Sequence, residues 1–141
     1  MRKEQALCLL FGETQELKMT LEELYKEIGG NYEQAQRVMK MDKLIDRYIK
    51  KLKSSGVGER LSAAADAMDP AMLFESAHAM KGVCANLGLD SLASAAEEIC
   101  EEFRPGKERK FSDDEVREKT AEIRKMFDKT IEGIAKYEAG A

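Results

Sequence analysis

The chain has one histidine, His78, among 141 residues, and that scarcity removes more chemistry than any other feature of the sequence. A metal site with two or more imidazole ligands is excluded, and a Ser-His or Cys-His nucleophilic pair would have to be built around this ring alone. Cysteine is nearly as scarce. Cys8, Cys84 and Cys100 are odd in number and lack C-x-x-C spacing, which argues against a disulfide framework or zinc site and for reduced thiols in the cytoplasm. With two prolines, 43% hydrophobic and 35% charged residues, the composition fits neither a disordered nor a collagen-like chain. No G-x-x-x-x-G-K-[ST] loop or glycine-rich nucleotide loop occurs, so nucleotide binding by this chain alone is not expected. The 23 basic and 27 acidic residues leave a net charge of -4 with no basic block standing out. A nucleic-acid partner is therefore disfavoured, because phosphate neutralisation needs clustered Lys and Arg. The early apolar run, residues 6–11 behind Arg2 and Lys3, is too short for a signal peptide or a bilayer crossing. Residues 1–18 read as a loosely held extension, or as the product of an upstream start codon, since Met19 directly precedes a helix-start signal. Residues 19–141 read as one domain.

What the sequence does contain is helical periodicity. Thr20-Leu21-Glu22-Glu23 is a capping-box pattern opening a helix with Leu21, Leu24, Tyr25 and Ile28 on one face, and Gly29-Gly30 stops it. From Asn31, the series Ala35, Val38, Met41, Ile45, Tyr48, Ile49, Leu52 predicts one long amphipathic helix ending at the turn residues 54–58. Leu61, Ala64, Ala65 and Met68 mark a short helix, and Asp69-Pro70 caps the next, expected over 70–87 with Gly88 just past its end. Leu89, Leu92, Ala93, Ala96, Ile99, Cys100 and Phe103 continue the spacing until Pro105-Gly106. A second capping box, Ser112-Asp113-Asp114-Glu115, opens a final helix carrying Val116, Thr120, Ile123, Phe127, Ile131, Ile134 and Tyr137. No stretch alternates with period two. The expectation is an all-α, up-and-down antiparallel bundle.

On the helix expected over 70–87, Leu73, Ala77, Met80, Cys84 and Leu87 lie about 100° to 180° from His78 at 100° per residue, on the far side of the helix. His78 therefore points away from the core, with Ala71, Phe74, Gly82 and Ala85 within about 40° and Glu75 and Lys81 about 60° to either side. A mid-helix glycine costs about 1 kcal/mol relative to Ala. Gly82 thus implies close approach to the backbone, by a neighbouring helix or by a partner. Lys81, one turn from His78, supplies a cation to an anion carried on the ring, or is a solvated surface lysine. A free imidazole, with a pKa near ~6.5, is roughly three-quarters neutral at pH 7 and attacks without a dedicated base. Phosphorus is the fitting electrophile.

The segment Ala77-His78-Ala79-Met80-Lys81-Gly82-Val83-Cys84-Ala85-Asn86-Leu87-Gly88, followed by Leu92, resembles the signature of histidine-containing phosphotransfer (HPt) domains. The similarity runs from about residue 20 to 137. It implies a four-helix bundle with an accessory N-terminal helix, His78 as phosphoacceptor, Lys81 holding the phosphoryl group and Gly82 leaving room for the partner. Histidine-kinase phosphoacceptor domains are more distant: a Glu normally follows their His, and here it is Ala79. The resemblance further implies a cytoplasmic, monomeric phosphoryl carrier, not itself an enzyme, that shuttles between aspartates of response-regulator receiver domains, with a hybrid histidine kinase as a further partner. Mg2+ would come from the receiver, with no cofactor or metal held by this chain. Ala71, Phe74, Glu75, Ala85 and Asn86 would form the docking surface. The rival reading is a helical adaptor, or a degenerate HPt domain, that binds receivers without phosphotransfer. The extension before Met19 and the connection 105–111 depart from the pattern and bear on which partners dock.

Overall fold

The computed structural model describes residues 19–140. Cys8 and the expected extension 1–18 lie outside the described residues. Seven helices follow one another, with no strand among the described residues: α1 (Leu21–Ile28), α2 (Tyr32–Met39), α3 (Asp42–Ser54), α4 (Val57–Ala67), α5 (Pro70–Asn86), α6 (Asp90–Glu102) and α7 (Asp113–Gly140).

The helix starts are chemically specified. Thr20 and Glu23 form the reciprocal capping box at α1, and Ser112 and Glu115 repeat it at α7, with bonds of 3.1 and 2.9 Å. At α5 the Asp69 carboxylate accepts from the Met72 N–H at 3.2 Å while Pro70 occupies the first turn, where its missing donor costs nothing. Helices α4 to α7 pack in a ring, α4 on α5, α5 on α6, α6 on α7 and α7 back on α4, while α1 and α3 lean on α7 and α2 on α5. This is the expected all-α bundle with an accessory helix at its N-terminal side. No helix among the described residues is long and apolar enough to cross a membrane.

One expected element is corrected. The predicted single helix from Asn31 to Leu52 is two helices, broken where Lys40 adopts the left-handed region (φ 73°) and Met41 is extended. A left-handed non-glycine residue costs on the order of 1 kcal/mol or more. The break persists because Asp42, at the start of α3, accepts from the Tyr32 hydroxyl at 2.7 Å and the Gln36 amide at 3.2 Å. Val38 and Met41, expected on the buried stripe, are exposed as a result, as is Tyr48 on α3. A smaller correction concerns α7, where Thr130 takes the buried position expected of Ile131 and donates its hydroxyl to the Met126 carbonyl at 3.0 Å. The 103–112 connection is pinned by Glu102, a buried carboxylate accepting from the backbone N–H groups of Lys110 and Phe111 at 2.9 and 2.7 Å.

The C-terminal end of α5 is stapled to the turn between α1 and α2. The buried Tyr25 hydroxyl donates to the Leu87 carbonyl at 2.6 Å, and the Asn31 N–H donates to the Gly88 carbonyl at 2.7 Å. Gly88 has φ 72°, and a Cβ there would sit 2.2 Å from the Asn31 oxygen. Gly88→Ala combines a left-handed side chain with a backbone collision, so urea unfolding should show a loss of at least about 2 kcal/mol. A loss below about 0.5 kcal/mol would mean that the α1–α2 turn is not seated on α5 as described.

Candidate functional site

Helix α5 is rolled by its apolar stripe. Leu73, Ala77, Met80, Cys84 and Leu87 are all essentially inaccessible to solvent, and each large side chain so buried contributes about 1.5 to 3 kcal/mol. The opposite side follows: His78, Ala71, Glu75, Gly82, Ala85 and Asn86 are exposed, while Phe74 and Lys81 are half-buried at the edge facing α6. The residues singled out from the sequence therefore share one continuous face.

The His78 ring is held on two sides. It stacks on Phe74, one turn earlier, with centroids 5.9 Å apart and planes 16° from parallel, and the Arg104 guanidinium lies 5.7 Å from the same Phe74 ring. From α6, the Cys100 sulfur approaches His78 Nδ1 at 3.9 Å. Burial pushes the Cys100 thiol above its ordinary value, so it is uncharged at neutral pH and meets either tautomer. When Nδ1 carries the proton it donates to the sulfur, a weak acceptor, and the lone pair of Nε2 is free. The sequence reading missed Cys100 as a neighbour of the histidine. Its place on the apolar stripe of α6 marked it as buried, but periodicity says which face of a helix is covered and not by which helix.

Lys81 has a partner that the spacing did not reveal. Its Nζ lies 2.8 Å from Glu97 Oε1 on α6, and this hydrogen-bonded carboxylate raises the ammonium above the usual lysine value. A half-exposed pair of this kind is worth about 0 to 1 kcal/mol. An incoming dianion, which gains more from a charge-assisted bond, can draw the lysine away. Beyond it, Glu101 and Arg104 form a further ion pair along α6.

At Gly82 the two readings of the sequence separate. A Cβ built there meets nothing within 4 Å among the described residues, so none of the described helices occupies the space. Among the described residues no group of three or more His, Cys, Asp or Glu side chains is arranged to hold a metal ion.

An exposed imidazole with an aromatic floor, a cation one turn away and open space at Gly82 thus share one face of α5. A family model for the Hpt domain matches residues 7–133, and the chain belongs to this family. No match is found among curated proteins or among solved structures. Hpt domains are phosphocarrier modules of phosphorelays rather than kinases, and they generally interact with receiver domains of response regulators.

Open space at Gly82 sets the sign of its substitutions. Gly82→Ala should stabilise the protein by up to about 1 kcal/mol through helix propensity, and Gly82→Gln should leave stability unchanged or slightly raised. Urea melts decide this, and a loss above about 1 kcal/mol for the Gln variant would place a packed element against position 82.

Proposed function

We propose that the chain is a histidine phosphotransfer protein that carries a phosphoryl group between receiver-domain aspartates through a phosphohistidine at His78. The observation that carries this reading is the bare surface of α5 around the imidazole, where His78 is exposed and position 82 is open to solvent. A receiver phosphorylated on Asp docks over this face, and Nε2 of His78 attacks phosphorus in line. The N–P bond forms as the O–P bond of the acyl phosphate breaks, and the electron pair leaves with the receiver's carboxylate. The proton on Nδ1 remains there, facing Cys100. In the second half the carboxylate of another receiver attacks the same phosphorus, and the imidazole leaves with its electron pair. The receivers supply Mg2+, which neutralises charge on the transferring oxygens. Phe74 fixes the ring, Lys81 exchanges Glu97 for a phosphoryl oxygen, and Ala71, Glu75, Ala85 and Asn86 meet the partner. A monomer working in the cytoplasm fits this role.

Incubation with a receiver phosphorylated in the presence of Mg2+ should place acid-labile phosphate on His78 of the wild type and none on His78→Gln. The variant should remain within about 1 kcal/mol of wild-type stability, since the side chain is exposed and loses only its stacking on Phe74 and a weak contact with Cys100. Receiver binding without any acid-labile label would establish a non-catalytic adaptor instead. Lys81→Ala should slow transfer several-fold or shorten the phosphohistidine lifetime while leaving receiver affinity within about threefold, because the ammonium meets the phosphoryl group only once it has arrived. Unchanged rates in both directions together with an unchanged lifetime would remove Lys81 from the site.

A further inference from the structure

The break between α2 and α3 has a consequence at the surface. It leaves three large apolar side chains in solvent, Val38 at 41%, Met41 at 53% and Tyr48 at 42% exposure. Val38 and Tyr48, with Leu44, line one side of a groove of about 560 Å3 that has Val83 and Asn86 of α5 on the other. The groove carries a positive charge although the chain as a whole is acidic. Lys51 lines it and forms no ion pair among the described residues, whereas Lys50 and Lys53 of the same helix are paired with Asp46 and Glu138. Lys51 lies 5.4 Å from the centre of the Tyr48 ring, which places its charge at the groove's mouth.

The groove is continuous with the reaction centre. Asn86 belongs to both surfaces and lies two turns from His78, about 12 Å along the helix axis. A docking footprint of about 600 to 800 Å2 per partner has a radius of about 14 to 16 Å, so a receiver centred on His78 reaches Asn86 and the near edge of the groove. The other flank offers less. There Lys81 and Glu97, and Arg104 and Glu101, satisfy one another, and such self-paired surface groups add little to binding.

Resting on the shuttle reading, we infer that this groove is the selectivity site for the receiver. It takes an apolar side chain projecting from the receiver, flanked by a carboxylate that meets Lys51. Affinity and partner choice then reside on the α2–α3 side of α5, while chemistry resides at His78. The arrangement also accounts for three apolar residues held in water beside a reactive face, where large apolar patches mark interaction sites.

The test uses the full chain and, as probes, the receiver domains encoded in the same genome, each phosphorylated with acetyl phosphate and Mg2+. For receivers that phosphorylate the wild type, the double variant V38S/Y48A should raise the half-saturating receiver concentration about tenfold, the loss typical of an aromatic anchor. K51E should raise it several-fold and flatten its salt dependence. Labelling of His78 by phosphoramidate, a small donor that needs no docking, should stay within twofold for both variants, and their melting curves should overlay the wild type's, since these side chains are exposed. Unchanged half-saturation in both variants overturns the groove and leaves the shuttle standing, whereas a wild type phosphorylated by no receiver overturns both. A fall in phosphoramidate labelling equal to the fall in receiver transfer overturns the groove by moving the effect to His78. A concentration-dependent mass in light scattering that the variants abolish overturns it in favour of a second copy of the chain.

Discussion

Burial of one stripe on α5 is the interaction on which the rest depends. Five side chains from Leu73 to Leu87 lose their solvent contact against α4, α6 and the helices behind them, and together they are worth several kilocalories per mole. That sum fixes the roll of the helix. No interaction on the outer face is comparable: the mid-helix glycine costs about 1 kcal/mol and a surface ion pair yields less. The outer face is therefore free to carry what a core could not tolerate, namely an exposed imidazole, an unfilled position at Gly82 and a lysine whose partner can be exchanged. The stability of the bundle and the openness of the site come from opposite sides of the same seventeen residues.

The position of α5 along its own axis depends on a second constraint. A helix end leaves carbonyl groups without partners, and here Tyr25 and Asn31 reach across from the α1–α2 turn to satisfy those of Leu87 and Gly88. The staple brings α2 against the C-terminal half of α5 and makes α2 and α3 the wall of a groove. The residue that ends α5 and the residues that face the groove are thus linked through one turn. The accessory helices contribute to the surface that a partner would meet as well as to the core.

The sequence and the structure agree where a single helix can be read alone. The α5 stripe, both capping boxes, the Asp69-Pro70 start and the outward direction of His78 follow from residue spacing, because each is decided within one or two turns. Disagreement begins where the deciding partner is distant or lies off the apolar stripe. The steps Ala35, Val38, Met41, Ile45 keep a helical period through a left-handed Lys40, since period reports apolar spacing and is blind to one residue's φ. The break is held by the polar group of Asp42, which a hydrophobic pattern does not contain. At α7 the stripe shifts from Ile131 to Thr130 because a hydroxyl bonded to its own helix can be buried at little cost. Glu97 and Cys100 touch the site from α6, and only the pairing of α5 with α6 brings them there.

Reversibility places its own demand on such a site. A carrier that bound the phosphoryl group tightly would be a sink, because the same interactions that stabilise the phosphorylated state must be surrendered when the group departs. On the shuttle reading, the arrangement at Lys81 limits that stabilisation. The ammonium is already paired with Glu97, so its gain on meeting the phosphoryl oxygen is the difference between two ion pairs rather than the value of one. Cys100 acts in the same direction at the other nitrogen. A sulfur 3.9 Å from Nδ1 orients the ring as a weak acceptor. A carboxylate in that place would favour the protonated ring and hold the phosphorylated form more firmly. On the shuttle reading, a lysine that must give up one ion pair to form another and a weakly accepting sulfur both limit how firmly the phosphoryl group would be held, which is what passing it onward requires.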